Sequence, residues 1–546
     1  MTSDRVLRVR RLGRVSYGEA NVLQHALHAR SADDYLLLLE HPHVYTVGVR
    51  PSAAEHVLID PASVGAEMVS VDRGGDVTYH GPGQLVGYPI VTLPEWKGGL
   101  RDVVAYVRAL EDVLVAALVD LGIEAERSDG LTGVWVGSEK IAAIGVKVSR
   151  GRTLHGFALN VDPDLTMFSH IVPCGIVDRG VTSIARVLGK TVSMDTVADK
   201  VAEHFADRFS QGVVEHQTVA RRRSLPLTTP MSAPPVDIST TESSSGNVFE
   251  RPKWMKVRAN LGPEYRALRA RMRRLDLHTV CEEAGCPNIY ECWADGTATF
   301  MILGERCTRA CGFCLVDTRR PDGVDADEPE RVATAVAEME LAHAVITSVA
   351  RDDLPDGGAD IFAATIRAVR RRTPATRVEV LISDCKGDPH ALKTIFDAGP
   401  DVLNHNLETV ARLQRMARPS AGYARSLGVL SRSKDAGLIT KSGLILGMGE
   451  TMEELRGAIA DLRGVGVDIL TIGQYLRPSM AHLPVTKWWS PQEFEELGEY
   501  ARELGFAHVE SGPLVRSSYH ARRAVDDALD QAEGTVTVAA GAALGA

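Results

Sequence analysis

The chain has 546 residues, of which 45% are hydrophobic and 24% are charged, and its formal net charge is −10. Compact domains usually contain ~100–200 residues, so this length predicts two or three domains. The acidic balance argues against wholesale nucleic-acid binding, which favours a basic domain, but it allows a local basic surface. No apolar run follows the charged N-terminus, and no stretch approaches ~20 apolar residues, so we expect a cytoplasmic protein without a signal peptide or membrane span.

The first ~210 residues mix strand and helix patterns. Residues 35–41 and 134–148 predict strands, the second folding as a hairpin that turns near Gly137 and Ser138. Residues 103–123 and 194–209 have apolar side chains at helical spacing. These patterns predict an α/β domain with few parallel β–α–β units.

A segment rich in Pro, Ser and Thr runs from Arg221 to Asn247 and has no apolar periodicity. It predicts a flexible linker, with an ordinary long surface loop as the alternative. We therefore predict a first domain over residues 1–215, a linker over 216–248 and a second domain with a short C-terminal tail over 249–546.

After the linker, short apolar strands alternate with helical stretches such as residues 329–341 and 451–466. Six strand–helix repeats predict a parallel α/β barrel, here a partial (β/α)6 barrel. Polar residues follow the strands at their C-terminal ends, where such barrels carry their chemistry. The predicted strands cover residues 300–304, 343–349, 377–383, 402–408, 440–447 and 469–476.

The chain has eight cysteines, and six of them lie between Cys281 and Cys314. Cys307, Cys311 and Cys314 are spaced C-x3-C-x2-C in the sequence CTRACGFC. Three thiolates on one short loop can hold three irons of a [4Fe–4S] cube and leave the fourth iron open to another ligand. The alternatives are a zinc site, which favours paired C-x2-C spacings and four ligands, or buried free thiols.

This motif, with Phe313 before its last cysteine, resembles the signature of the radical-SAM superfamily. The resemblance implies that the open iron binds S-adenosylmethionine, whose cleavage yields a 5′-deoxyadenosyl radical. Further contacts to S-adenosylmethionine or substrate are expected at strand ends, with simple loop formation as the alternative at each. The candidates are Arg351, Asp352, Asp353, Asn404, Asn406 and the run GMGET from Gly447 to Thr451.

A second triplet, Cys281, Cys286 and Cys292, is spaced C-x4-C-x5-C. Together with VRSSYHA at residues 515–521, it makes the second half resemble lipoyl synthases from residue 251 to about residue 521. The resemblance implies that this triplet holds an auxiliary [4Fe–4S] cluster whose fourth ligand is Ser518, with Ser517 as the alternative. It also implies that the auxiliary cluster donates the two sulfur atoms inserted at C6 and C8 of a bound octanoyl group.

In the first half, residues 71–89 are dense in glycine between apolar strands, a pattern that turns alone could also explain. Together with residues 140–148, 154–161 and 170–176, they resemble lipoyl(octanoyl) transferases, which share the fold of biotin and lipoate protein ligases. The resemblance implies that Cys174 carries the acyl group as a thioester and that Lys140 lowers the pKa of that thiol. An inert core thiol is the alternative for Cys174.

The resemblance also implies an acyl-binding surface, within which His80 helps to orient the substrate. Its predicted residues are Arg73, Gly74, Gly75, Asp76, Val77, Thr78, Tyr79, His80, Ala143, Ile144, Gly145, Gly156, Phe157 and Ala158.

The combined interpretation is a bifunctional lipoylation enzyme with two [4Fe–4S] clusters and S-adenosylmethionine. The expected partners are octanoyl-acyl carrier protein, lipoyl domains of 2-oxoacid dehydrogenase complexes, the glycine cleavage H protein, and an electron donor such as ferredoxin or flavodoxin. We expect neither nucleic acid nor membrane as a partner. Two alternatives stay open: a first half that only recruits lipoyl domains, and structural zinc sites in an interaction protein.

Overall fold

A computed structural model of the protein describes most of both halves and leaves the 221–247 segment outside the described residues. The described residues are 5–95, 101–172, 179–210, 212–220, 251–255, 274, 278–279, 288, 292 and 296–531. None of the helices within these ranges is long and apolar enough to cross a membrane.

The described chain divides into two compact units. One contains Met1–Val219, Gly422–Thr440 and Gly457–Asp468, and the other contains the remaining segments. The domain boundaries at residues 215 and 249 stay predictions, because the residues around the second boundary are outside the described ranges.

The first half contains eleven strands and four helices among its described residues. The strands are β1 Leu7–Arg14, β2 Asp34–Glu40, β3 Val44–Val47, β4 Glu67–Ser70, β5 Val77–His80, β6 Gln84–Ile90, β7 Glu126–Ser128, β8 Leu131–Val136, β9 Glu139–Ser149, β10 Arg152–Asn160 and β11 Val214–Thr218. The helices are α1 Tyr17–Arg30, α2 Val103–Asp120, α3 Ile184–Leu188 and α4 Met194–Phe209.

Side-chain caps fix where these helices begin. Ser16 and Glu19 form a reciprocal capping box at the start of α1, which satisfies two backbone N–H groups that the helix leaves without partners. Asp102 accepts a hydrogen bond from the N–H of Ala105 at the start of α2, and Ser193 does the same for Thr196 at the start of α4. The predicted helices at 103–123 and 194–209 are confirmed, the first ending earlier than predicted.

Eight strands of the first half form one sheet in the order β11–β1–β2–β6–β10–β9–β8–β7. Only the β1–β2 and β1–β11 pairs run parallel, as the scarcity of β–α–β patterns predicted. Helices α2 and α4 bury apolar residues such as Leu110, Leu114 and Phe205 in the core of this sheet. A separate three-stranded sheet, β4–β3–β5, surrounds a smaller core that contains Tyr45 and Tyr79.

The second half repeats strands and helices along the chain. Its strands are β12 His278–Thr279, β13 Thr297–Ile302, β14 His343–Ser348, β15 Arg377–Leu381, β16 Val402–Asn404, β17 Ile439–Leu446, β18 Ile469–Gln474 and β19 His508–Ser511. Its described helices are α5 Glu328–Glu338, α6 Ala359–Arg372, α7 Pro389–Asp397, α8 Gln414–Ala417, α9 Tyr423–Asp435, α10 Met452–Gly464 and α11 Pro491–Glu503.

Strands β13 to β19 lie side by side in sequence order, with β12 antiparallel to β13 at one edge. The strands β13 and β18 are buried along their whole length, which is typical of parallel strands covered on both faces. All six predicted strands are confirmed, and β19 is a seventh that the sequence patterns did not predict. The loops that follow β13 to β16 therefore lie at the same edge of the sheet.

Candidate active sites

A cavity of about 400 Å³ lies at the C-terminal ends of β13 to β16. Much of its wall is apolar, formed by residues such as Met301, Val345, Val349 and Leu381. All three thiols of the CTRACGFC motif open onto it. The cavity is lined by Thr299, Met301, Cys307, Arg309, Cys311, Phe313, Cys314, Val316, Val345, Thr347, Ser348, Val349, Ala350, Leu381, Ile382, Ser383, His405, Asn406, Glu408, Arg418, Ser420, Ala421, Arg516, Ser517 and Ser518.

The three thiols have surroundings that suit ligands of an iron–sulfur cube. The sulfur of Cys307 accepts hydrogen bonds from the backbone N–H groups of Arg309, at 3.4 Å, and Ala350, at 3.3 Å. Burial raises the pKa of the Cys311 thiol to about 11, so that thiol keeps its proton until a metal displaces it. Within the described ranges no three His, Cys, Asp or Glu side chains converge on a single metal ion. A cube differs from such a site because each of its irons takes its own thiolate.

Ser517 and Ser518 both line this cavity but differ in their hydrogen bonds. The Ser517 hydroxyl accepts a hydrogen bond from Nδ2 of Asn404, at 2.8 Å, and donates one to Oδ1 of Asn406, at 3.3 Å. Among the hydrogen bonds between described residues, none involves the Ser518 hydroxyl. Ser518, the predicted ligand, thus has a hydroxyl that is open to the cavity.

The auxiliary triplet is only partly described, because Cys281 and Cys286 lie outside the described residues. Cys292 is buried, and its backbone N–H donates to the carbonyl of Asn288 at 3.0 Å. The side chain of Asn288 in turn donates to the carbonyl of Leu514 at 2.8 Å. The third cysteine of the triplet is therefore tied to the chain four residues before Ser518.

A buried ion pair between Lys441 and Glu379 is linked to Ser517 through Asn404. The sequence patterns did not predict it. The ammonium of Lys441 lies 3.0 Å from a carboxylate oxygen of Glu379, and both side chains are fully buried. Burial alone would raise the pKa of Glu379, but the charge of Lys441 and contacts with His343 lower it to about 2. Asn404 donates to both Glu379 and Ser517, which links the ion pair to the cavity wall. A Lys and a Glu inside strands predicted to be buried were the available signal.

The residues predicted to contact S-adenosylmethionine mostly organise loops. Arg351 and Asp353 pair with each other through two hydrogen bonds of 2.9 and 2.8 Å. Glu450 accepts the backbone N–H groups of Gly447, Met448 and Gly449, at 2.9 to 3.1 Å. Of the predicted set, Asn406 alone is among the residues that line the 400 Å³ cavity.

In the first half, a small cavity of about 50 Å³ gathers nearly the whole predicted acyl-binding surface. A cavity that holds benzene measures roughly 150 Å³, so an octanoyl chain must extend beyond this one or widen it. The cavity is lined by Tyr17, Arg73, Gly74, Gly75, Asp76, Val77, Thr78, His80, Tyr88, Ala143, Ile144, Gly145, His155, Gly156, Phe157 and Ala158.

Tyr79 is the one predicted residue of this surface that the cavity does not include. Its ring packs against Tyr45 and Phe168 in the smaller core, and its hydroxyl lies 2.7 Å from Nδ1 of His43. The expectation that Tyr79 lines the acyl pocket is therefore corrected, because its side chain serves the three-stranded sheet.

The glycines of this site allow strands to approach each other closely. A Cβ on Gly156 would lie 2.1 Å from the carbonyl oxygen of Gly87 on the neighbouring strand. Gly145 lies opposite Gly156 in the β9–β10 pair, and its own Cβ would lie 3.0 Å from the carbonyl oxygen of Gly74. These glycines are required by backbone packing, which leaves the cavity wall without side chains at those points.

Three lining residues escaped the sequence analysis: Tyr17, Tyr88 and His155. His155 is buried and has a φ of 58°, a left-handed conformation that is unusual for a residue with a side chain. Its Nε2 lies 2.7 Å from Oδ1 of Asp72, and burial lowers the pKa of its imidazole. A histidine directly before Gly156, in a segment that carries the family resemblance, was the only local signal.

His80 is held inside a network of neutral groups. Its Nδ1 lies 2.8 Å from Oε1 of Gln84, and its Nε2 lies 3.3 Å from the hydroxyl of Thr46. Burial lowers the pKa of His80 to about 3, so the imidazole is uncharged at neutral pH. Both ring nitrogens are thus engaged by protein side chains, and the neutral ring adds no charge to the cavity wall.

The predicted catalytic pair is described on one side only, because Cys174 lies outside the described residues. Lys140 is the second residue of β9, and its ammonium lies 4.8 Å from the centre of the Trp135 ring. Its backbone N–H donates to the carbonyl of Gly180 at 2.9 Å, and its carbonyl accepts from Thr182 at 3.0 Å. The chain six to eight residues after Cys174 thus pairs directly with Lys140.

Three family models match the chain. The lipoyl protein ligase A/B catalytic domain matches residues 16–206, the N-terminal domain of lipoyl synthase matches residues 239–286, and the radical SAM superfamily matches residues 301–462. A lipoyl synthase from Rubrobacter xylanophilus is 57% identical over 302 residues, which cover 54% of this chain and 94% of that protein. The chain belongs to the lipoyl synthase family.

A lipoyl synthase from Mycobacterium tuberculosis is 56% identical over 281 residues, covering 52% of this chain and 90% of that protein. For the first half, a solved bipartite lipoate protein ligase from Thermoplasma acidophilum is 20% identical and covers 40% of this chain and 88% of that one. The TM-score between the two structures is 0.34.

The predicted fusion of two lipoate-assembly families and the predicted fold class of each half are confirmed. The chain therefore carries a match to the lipoyl protein ligase A/B catalytic domain in its first half and matches to lipoyl synthase and radical SAM domains in its second half. Its radical-SAM domain implies S-adenosylmethionine and [4Fe–4S] chemistry. The number of clusters, the individual ligands and the exact transfer reaction of the first half stay predictions.

Proposed function

We propose that this protein transfers an octanoyl group from octanoyl-acyl carrier protein to a lysine of a lipoyl domain and then inserts two sulfur atoms into that group. The first step uses Cys174 and Lys140 in the first half. The second uses the cavity in the second half. The observation that carries the proposal is the convergence of the three CTRACGFC thiols and Ser518 on one largely apolar cavity.

The cavity suits a saturated acyl chain. Burying seven methylene-sized carbons against walls such as Met301, Val345 and Leu381 contributes about 5 kcal/mol. The C6 and C8 positions have no acidic proton, so a base cannot activate them. A bound cluster and S-adenosylmethionine supply the radical that abstracts hydrogen there, and Cys307, Cys311 and Cys314 are the residues that would hold that cluster. The apolar wall excludes water from the reacting chain.

The second cluster is the sulfur-donating substrate of the proposal, held by Cys281, Cys286, Cys292 and Ser518. Two contacts support this assignment: the link from Cys292 through Asn288 to Leu514, and the open hydroxyl of Ser518. An alkoxide is a harder and more weakly held ligand for iron than a thiolate. Such a ligand suits a cluster that is dismantled during the reaction.

The proposal for octanoyl transfer is supported by the residues that line the small cavity of the first half. We assign the entry of the acyl chain to the cavity beside Arg73, Ala143 and Phe157. A thiolate at Cys174 attacks the incoming thioester, the acyl group moves to the cysteine, and the carrier thiol leaves with a proton. Lys140 is placed beside the chain that follows Cys174 and is the group we assign to that proton.

Anaerobic reconstitution of the full chain tests the second half. Two clusters predict about eight irons and eight sulfides per chain, and Cys311→Ala predicts about four. Addition of S-adenosylmethionine and an octanoylated lipoyl-domain peptide is expected to give the dihydrolipoyl product by mass spectrometry. Bound zinc without iron would contradict the proposal.

Octanoyl transfer is tested separately, with octanoyl-acyl carrier protein and an unmodified lipoyl domain. Cys174→Ser is expected to reduce transfer at least ~1,000-fold, because the nucleophile is removed. The same variant is expected to keep its iron and to convert the octanoylated peptide at the wild-type rate. Unchanged octanoyl transfer in Cys174→Ser would leave the first half as a module that recruits lipoyl domains.

A further inference from the structure

The loop that carries the three CTRACGFC thiols is fastened at Arg309, a residue the proposed reaction does not use. The guanidinium of Arg309 donates two hydrogen bonds to the Asp352 carboxylate, at 2.7 and 2.8 Å. It donates a third to Oδ1 of Asp384, at 2.6 Å. The Arg309 side chain is only 7% exposed, and that of Asp384 is fully buried. We call Arg309, Asp352 and Asp384 the arginine clamp.

The clamp joins three separate parts of the fold. Arg309 lies between Cys307 and Cys311, Asp352 follows β14, and Asp384 follows β15. A planar guanidinium that meets two carboxylates in this way is held in one orientation, because its N–H groups form a rigid fork. The cysteine loop is therefore fixed to two neighbouring strand ends.

The backbone around the clamp repeats this fastening. The backbone N–H of Thr308 donates to the carbonyl of Ala350 at 3.0 Å, and the Thr308 hydroxyl donates to the same carbonyl at 2.9 Å. The N–H of Asp352 donates back to the Thr308 hydroxyl at 2.9 Å. The Ala350 N–H donates to the Cys307 sulfur, so the same segment holds both the loop and its first thiol.

A strained turn positions the second carboxylate. Cys385 and Lys386 have φ values of 44° and 53°, in the region that side-chain-bearing residues avoid. In this turn the N–H of Lys386 donates to Oδ1 of Asp384 at 3.0 Å, and its ammonium donates to the carbonyl of Asp352 at 2.8 Å. Strain of this kind is retained where the surrounding structure enforces it, often at a functional site. Here Lys386 contacts both carboxylate residues of the clamp.

We propose that Arg309 is a positioning residue for the radical-SAM cluster, acting through the arginine clamp. By fixing the loop to the ends of β14 and β15, the clamp holds the three thiols toward the cavity in the arrangement that a cube requires. This inference rests on the assignment of that cluster to Cys307, Cys311 and Cys314. It also reassigns Asp352, which the sequence suggested as a contact of S-adenosylmethionine, to holding the cysteine loop.

The rate at which a chelator removes iron from the reconstituted full chain tests the proposal. Arg309→Lys keeps the charge but cannot form the same fork with two carboxylates. We expect about half of the iron to leave several-fold faster than in the wild type, and the other half, in the auxiliary cluster, to leave at the wild-type rate. The electron paramagnetic resonance signal of the reduced cluster with S-adenosylmethionine is expected to broaden, because the loop adopts more than one arrangement.

Two variants serve as controls. Arg370→Lys alters an arginine that pairs with Asp401 at 2.7 Å on α6, away from the cysteine loop, and is expected to leave iron release unchanged. Asp352→Asn keeps the shape of the clamp and provides a second test if Arg309→Lys fails to fold. It is expected to accelerate iron release in the same direction.

The outcomes separate this proposal from the cluster assignment. If Cys311→Ala keeps all of its iron, the cluster is held elsewhere and both proposals fall. If Cys311→Ala loses half of its iron while Arg309→Lys and Asp352→Asn release iron at the wild-type rate, only the positioning role falls. If every iron leaves faster in Arg309→Lys, the residue stabilises the fold in general, and the positioning role falls as well.

Discussion

The two candidate sites of the chain are built from different material. The acyl cavity of the first half is shaped by backbone, because glycines such as Gly145 and Gly156 let strands approach where side chains would collide. The cavity of the second half is shaped by side chains and loops at strand ends. A site formed by backbone packing can be predicted from short runs of consecutive residues. A site formed at strand ends depends on contacts between segments that are distant in sequence.

The sites also differ in how they bury polar groups. The first half buries neutral imidazoles, since burial lowers the pKa of His41 to about 4 and that of His80 to about 3. The second half buries a full ion pair between Glu379 and Lys441. A buried pair is strongly destabilised when one partner is removed, whereas a buried neutral histidine is destabilised by acid.

The largest expected effect is on the buried pair. Lys441→Met leaves the Glu379 carboxylate buried without its main counter-charge and is expected to lower the free energy of unfolding by about 3–5 kcal/mol. Anaerobic denaturant unfolding of the full chain measures this loss. The double variant Lys441→Met with Glu379→Leu is expected to recover much of it. Wild-type stability in Lys441→Met would mean that the pair is not a major element of the second half.

The second largest loss of stability is expected from a steric clash in the acyl cavity of the first half. Gly156→Ala places a methyl group 2.1 Å from the carbonyl oxygen of Gly87 and is expected to cost about 1–3 kcal/mol, as overpacked cores do. Octanoyl transfer is expected to fall with it, while iron content is unchanged. Gly18→Ala in α1 is the matched control, because its Cβ would have nothing within 4 Å. Equal stability of the two variants would remove the backbone explanation.

Mild acid is expected to act more on the first half. Because the folded pKa values of His41 and His80 lie below the ordinary 6.5, their neutral forms stabilise the fold above pH 6.5, and this contribution is lost as the pH falls toward 4 and 3. At pH 5.5 the loss is on the order of 1 kcal/mol for each histidine. Among its described residues the second half has one comparable group, His405, whose pKa burial lowers to about 4.

Hydrogen exchange followed by mass spectrometry, corrected for intrinsic rates, compares the two halves at pH 7.5 and 5.5. Peptides of β2 and β6 are expected to lose more protection than those of β14 and β15. The contribution of the ionised Glu379 to stability is kept between pH 7.5 and 5.5. Its folded pKa of about 2 lies below the ordinary value near 4.5, so this contribution is lost only as the pH falls from about 4.5 to 2. His41→Gln is expected to reduce the pH dependence of the first half, and equal losses in the two halves would refute the comparison.

The smallest expected effect separates the two serines. Ser517→Ala breaks hydrogen bonds with Asn404 and Asn406 and is expected to cost about 1 kcal/mol with no change in iron content. Ser518→Ala is expected to leave stability unchanged and to release auxiliary-cluster iron faster to a chelator. The reverse pattern would assign the ligand to Ser517.

The sequence predicted most of what lies close together along the chain. The run from Arg73 to Thr78 and the motif from Cys307 to Cys314 each place their residues at one cavity, because neighbours in sequence share a strand or loop. Six parallel strands were also predicted, since a fully buried strand is a continuous apolar run.

The remaining features arise from tertiary contacts that no local pattern encodes. The Glu379–Lys441 pair joins strands separated by 62 residues, and Arg309 meets Asp384 across 75 residues. Tyr79 was assigned to the acyl surface because its neighbours belong there, yet its ring packs into the smaller core. His155 enters the cavity through an unusual backbone conformation that propensities do not forecast.

The unengaged hydroxyl of Ser518 has a consequence for reuse of the polypeptide. Under the proposed function each turnover consumes the auxiliary iron–sulfur cluster, and a new cluster must be assembled before the next turnover. Since no described hydrogen bond depends on that hydroxyl, its release from iron leaves the hydrogen bonds among the described residues intact. Under the proposed function, refilling this ligand position therefore needs fresh iron and sulfide but no rearrangement of those hydrogen bonds.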